Sequence, residues 1–136
     1  MAGGLSALGA REILDFILRG VSPTISATVY LRLLTTPSTK TTSGTETVYG
    51  AYVRLPLVRG TSLFTDPLLS SRSTNVDVLE FAVPTSTDSN IVGFDIVNTP
   101  SGAFTETYLF GVVQPARSIV VGKRVRFPSG ALLVTA

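Results

Sequence analysis

Apolar residues recur at helical period in only one stretch of this chain, and that stretch is short. Over residues 10–19, Ile13, Leu14, Ile17 and Leu18 fall at i, i+1, i+4 and i+5 on one face. Arg11, Glu12, Asp15 and Arg19 take the other side, with Phe16 at the margin. Asp15 and Arg19 form an acid-before-base i, i+4 pair, and Arg19 stands late, as the helix dipole prefers. Gly20 can close the helix in the left-handed conformation, and Pro23 prevents a restart. The spacing predicts a helix over 10–20. A helix this short does not persist alone in water, so its apolar face must dock on something.

From residue 24 onward the pattern is strand and turn. Residues 28–34 alternate, with Val29, Leu31 and Leu33 on one face and Tyr30 and Arg32 on the other. Residues 35–47 are polar and Thr-rich, with Pro37 and Gly44, and read as an exposed, mobile loop. Residues 48–58 read as a strand region that Pro56 places at an edge or a bend. Residues 60–75 are rich in turn formers yet carry Leu63, Phe64, Leu68 and Leu69, which either tuck under the domain or contact a partner. Across 76–83 the apolar parity changes, which a β-bulge near Val78 would reconcile. Residues 91–97 are a strand, 98–102 a hairpin-like turn, and 104–114 an almost wholly apolar strand covered on both sides. Short strands at 118–121, 123–127 and 131–135 complete the set. Phe94, Ile96, Phe110 and Val112 are expected in the core. One helix followed by many short strands predicts a mainly β fold, a β-sandwich or jelly-roll-like architecture with one N-terminal α-helix. The expected organisation is a single domain over 1–136, with a flexible segment at 1–8, the helix at 10–20 and the sandwich over 24–136.

Composition narrows the chemistry. The chain has no His and no Cys, so the common nucleophile–base pairs and the usual zinc sites cannot be assembled. What remains is carboxylates, hydroxyls and arginine. Asp77 and Glu80 form the nearest acidic pair in the second half, but strand phase separates their faces, and Asp88 and Asp95 offer no better pair for glycoside cleavage. No glycine-rich loop runs into Gly-Lys-Ser or Gly-Lys-Thr. No enzyme activity, cofactor or metal is therefore expected. Net charge is only +2 and charged residues are 15% of the chain, too few for a strong basic field. Lys123, Arg124 and Arg126 cluster beside Phe127, but alternation sets Arg124 and Arg126 together on one face, as in an ion-pairing or interface patch rather than a nucleic-acid track. No apolar run approaches the ~20 residues that span a bilayer, and residues 1–8 lack the basic start and apolar core of a signal peptide. With no Trp, a carbohydrate platform would rest on Tyr30, Tyr49, Tyr52 and Tyr108 alone. A lightly charged, Thr-rich surface suits assembly against neighbours. The candidate protein-interface residues are Leu63, Phe64, Leu68, Leu69, Arg124 and Arg126.

The order of elements carries a resemblance. The helix ending in Arg19-Gly20 is followed by Ala27-Thr28-Val29-Tyr30-Leu31, then Glu46 with Gly50 and Tyr52. Later come Val92-Gly93-Phe94-Asp95-Ile96 and Arg126-Phe127-Pro128-Ser129-Gly130-Ala131-Leu132-Leu133-Val134-Thr135. This resembles a family of short tailed-bacteriophage virion proteins, labelled tail fibre or capsid decoration proteins. It departs from that pattern over 58–75 and at Tyr49-Gly50-Ala51, where the family has more glycine. The resemblance implies a virion protein assembled in the host cytoplasm. It also implies a cement protein on the outer surface of the major capsid lattice, with the major capsid protein and copies of itself, as a homotrimer, for partners. A tail, baseplate or tail fibre component is the alternative.

Overall fold

The computed structural model describes residues 4–60, 62–65, 72–102 and 106–135. Its centre is a five-stranded antiparallel sheet. Strands β2 (Thr28–Leu34), β6 (Ile91–Val97) and β7 (Thr107–Arg117) form the middle, β1 (Gly4–Leu5) lies outside β7, and β3 (Leu55–Val58) lies outside β2. β2 and β6 occupy the residues that alternation predicts. Pro56 falls within the edge strand β3, where a missing N–H is tolerated. The hairpin between β6 and β7 closes through Asn98, which exchanges two bonds with Glu106, N–H to carbonyl at 3.1 Å and side-chain oxygen to N–H at 2.8 Å.

One face of the sheet carries Leu31, Leu33, Phe94 and Ile96, paired in register across β2 and β6. They pack against a second layer made of two ribbons, β4 (Arg72–Thr74) with β9 (Leu133–Thr135) and β5 (Leu79–Glu80) with β8 (Arg126–Phe127). Leu79, Phe81, Ile119, Val125, Phe127 and Leu132 supply that layer's side of the core. Phe94 is fully buried and stands opposite Gly111 on β7, where any Cβ would collide with its ring. The result is mainly β and sandwich-like, with one helix, as the sequence predicts.

The other face is mixed. Leu34, Val97 and Phe110 are buried there, and between them lies the pair Arg32–Asp95. Arg32 Nε donates to Asp95 Oδ1 at 2.8 Å and Nη2 to Oδ2 at 2.5 Å. Ser38 Oγ and Thr107 Oγ1 also donate to Oδ2, at 2.9 and 3.3 Å. A charge taken out of water must be fully partnered, and the segment 35–47 supplies two of the partners, Ser38 for Asp95 and Ser43 for Arg32. The segment expected to be a mobile loop is instead tied down. Ser38 and Thr47 are buried, Gly44 N–H donates to Ser38 Oγ at 2.8 Å, and Thr45 N–H donates to Thr36 Oγ1 at 2.8 Å. Hydroxyls that look like loop polarity in the sequence are hydrogen-bonding equipment here.

Four further expectations need correction. Residues 4–8 are not a loose segment, because Gly4 and Leu5 pair with Phe110 and Leu109 and Ser6 caps the helix. No bulge sits at Val78; the chain bends at Val76 and Asp77, so 72–74 and 79–80 join different ribbons and the change of parity follows. The apolar strand is described from Thr107, its expected start at 104 lying outside the described residues, and runs on past 114 to Arg117, and Val112 is only half-buried. Residues 118–125 form no strand; they are irregular chain around a turn at Val121 and Gly122. Ala51 holds a left-handed backbone, φ 73°, at the position where the resembling family carries more glycine, the residue that takes that conformation without steric cost.

Candidate interaction surfaces

Helix α1 (Ala7–Arg19) starts three residues earlier than its periodicity suggests, because Ser6 accepts from Gly9 N–H at 3.1 Å as N-cap. Gly20, at φ 65°, ends it as expected, and Asp15 pairs with Arg19 at 3.0 Å and with Arg11 at 3.8 Å. Its base is fixed to the sheet. Ser6 N–H donates to the Tyr108 carbonyl at 2.9 Å, Ala7 N–H donates to the Lys40 carbonyl at 2.9 Å, and Ser6 Oγ donates to the carbonyls of Thr107 and Tyr108. Gly9 is buried so close to the Tyr108 backbone that no side chain fits. Glu12 lies on the same side. Burial raises the pKa of the Tyr108 phenol, and the charges of Glu106 and Glu12 add to the rise.

The helix therefore turns its Gly9–Glu12 side toward its own domain. Nine residues, two and a half turns at about 3.6 residues per turn, place Leu18 diametrically opposite Gly9. The apolar arc looks outward: Ile13, Leu14, Ile17 and Leu18 are each between 43% and 74% exposed, and Phe16, on the Gly9–Glu12 side, and Val21, just past the cap, are exposed as well. The face expected to dock on something is left largely uncovered by the rest of the chain. Periodicity identified the arc but not the direction in which it faces. The available signal was Gly9, a residue suited to close backbone approach on the side away from the leucines.

The residues singled out in the sequence scatter. Leu63 and Phe64 are not free loop apolars; both are half-buried against the core, and Phe64 bridges Asn75. They line one side of an apolar cavity of about 290 Å³ with Ile25, Leu57, Tyr108 and Val134. Leu68 and Leu69 lie outside the described residues. Arg124 and Arg126 do come together, on either side of Glu80, at 3.8 and 3.9 Å. Arg124 also donates to the Phe81 carbonyl at 3.2 Å, and Arg117 lies over the Phe127 ring at 5.1 Å. With both arginines about half exposed, this is a solvated ion-pair cluster joined to the β5–β8 ribbon.

The carboxylates are structural in their contacts. Asp88 accepts from Val48 N–H, Thr47 Oγ1 and Ser89 N–H at 2.7–2.8 Å, and these bonds hold its pKa below the ordinary value. Glu46 accepts from Arg54 Nε and Nη2 and from the Tyr52 hydroxyl, each at 2.8 Å. Burial works to raise its pKa, but the bonds from Arg54 and Tyr52 and the charges of Arg54 and Arg32 outweigh burial and bring it down. Tyr52 in turn accepts from Leu33 N–H at 3.1 Å, so this network ties residues 46–54 to β2. Among the described residues no three His, Cys, Asp or Glu side chains gather as a metal group would require, and no helix is long and apolar enough to cross a membrane.

The described residues thus make a small sandwich-like fold with internally satisfied polar networks and one helix whose apolar side faces outward. The sequence profile of the family described as "Podophage GP4 fiber I protein gp80" matches residues 4–135, and the chain belongs to that family. It is thus a fibre-type structural protein of a phage virion. None of the curated proteins matches the chain.

Proposed function

We propose that the chain is a non-catalytic fibre component of a podophage particle, held to neighbouring virion proteins by side-chain burial across its outer surfaces. The observation that carries this reading is the family match over 4–135, virtually the whole chain, to a protein described as fiber I. The outward helix supports it, since an exposed apolar surface of that kind commonly marks a site of contact with another protein. The absence of His and Cys supports the non-catalytic part.

A capsid decoration role, with the major capsid protein as partner, is the second reading. It is favoured by one feature: the longest helix among the described residues has 13 residues, so nothing there builds a coiled-coil shaft. Copy number and position on intact particles separate the two. A fibre component gives a few to tens of copies at the tail vertex; a decoration protein gives hundreds over the head. Absence from purified particles overturns both.

A further inference from the structure

We propose that the outward arc of α1 is the surface through which copies of this chain associate, helix against helix about a rotation axis. The inference goes beyond the virion reading and does not depend on where in the particle the protein sits.

The size of the surface is the first argument. The four exposed side chains of the arc, with Phe16 and Val21 beside them, leave on the order of 600 Å² of apolar surface in water, against ~800 Å² buried per partner in a standard specific interface. A monomer rarely exposes a contiguous apolar patch larger than this without a use for it.

The pattern within the arc selects a helix as occupant. Within the helix Ala10, Leu14 and Ile17 are spaced 4-3, with Ile13 and Leu18 flanking them, the i+3/i+4 spacing by which the side chains of packed helices interlock. Helices with the same spacing interlock side by side, and α1 of a second copy has this spacing by construction.

Charge selects an identical partner over a different one. The arc carries no charge, and the charges beside it neutralise one another within the helix: Arg11 and Arg19 both pair with Asp15. Identical faces can then meet with no like charges opposed, as a symmetric contact requires. A lipid-binding helix instead carries a Lys/Arg-rich polar face that attracts anionic headgroups. Here Arg11 and Arg19 are balanced by Glu12 and Asp15, and Glu12 lies on the Gly9 side that faces the domain. The mounting is also rigid. The bonds of Ser6 and Ala7 to the carbonyls of Tyr108 and Lys40, and the seating of Gly9, hold every copy's arc in one orientation.

The test is sedimentation velocity of the full chain over a wide concentration range, with the double variant Ile17→Lys, Leu18→Lys and the control Val53→Lys, a valine equally exposed elsewhere. Wild type and control should associate alike. The double variant should keep its circular dichroism and melting transition while associating roughly 100-fold or more weakly, the loss expected when central contacts of an interface go. A wild type that stays monomeric throughout overturns the proposal, whether or not it binds vesicles of anionic phospholipid; so does a double variant that associates like wild type. If the lysines prevent folding, cysteine chemistry decides, because the chain has none of its own. Under mild oxidation Leu18→Cys should form disulfide-linked dimers far faster than Val53→Cys, and equal rates overturn the proposal. None of these outcomes bears on presence in the virion, so the two readings fail separately.

Discussion

Helix α1 and the second face of the central sheet break the usual partition of residues in opposite directions. The sheet face puts an arginine and an aspartate inside, where Asp95 is wholly without solvent contact; the helix puts isoleucine, leucine and phenylalanine outside. Each arrangement costs free energy unless something compensates it. On the sheet the compensation lies within the chain, since Arg32, Ser38 and Thr107 all reach Asp95. For the helix none is found among the described residues. A buried charge whose partners are all internal is finished architecture. An apolar arc with no internal partner is half of a contact.

The largest effect should come from the sheet. Asp95→Ala leaves the Arg32 guanidinium buried without its carboxylate, and such a break costs about 3–5 kcal/mol. Urea denaturation should show a collapse of the midpoint, and a loss below ~1 kcal/mol would mean that water reaches this pair. The next effect lies at the joint between the two regions. Ser6→Ala removes the N-cap of α1, worth about 1 kcal/mol, and should loosen helix amides near Gly9 in hydrogen exchange while β2 and β6 keep their protection.

Acid probes the polar networks and leaves apolar contacts, which bind no protons, without a direct effect. Glu46 and Asp88 have folded pKa values below their unfolded ones, so the folded state binds fewer protons in that window. Their stabilisation is present above the ordinary carboxylate range, about pH 4, and is lost as pH falls through the folded values. The melting temperature should decline over that window, and Glu46→Gln should flatten the decline. The smallest effect belongs to the helix. Phe16→Ala should change the stability of the dilute chain by less than ~0.5 kcal/mol, as for an exposed site. Phe94→Ala, the same change in the core, should cost ~3–5 kcal/mol. Equal costs would erase the distinction between the regions.

Sequence pattern made much of this fold legible, for reasons that also explain its failures. β2 and β6 were readable because one face of each meets a continuous apolar layer, so alternation survives. The helix end was readable because Gly20 and the Asp15–Arg19 pair are local. Its start was not, since Ser6 precedes the first apolar repeat and is held by carbonyls about a hundred residues away in sequence. The pinned segment 35–47 was hidden because a hydroxyl that completes a buried ion pair is spelled the same as one in solvent. The places of Leu63 and Phe64 were hidden in the same way. Leu63 and Phe64 break strand periodicity by packing from a turn, whereas the truly outward residues sit in the most regular stretch of the chain. Period reveals which residues share a face, not which way the face points.

That direction is measurable. The chain has no Trp, so Leu18→Trp places a single indole at the centre of the arc. Its emission should be that of water-exposed indole in dilute solution and should shift to the blue as the chain associates, with the same midpoint that sedimentation gives. Blue emission already in the dilute monomer would mean that the helix folds onto its own domain, and the account of an outward, intermolecular face would be contradicted.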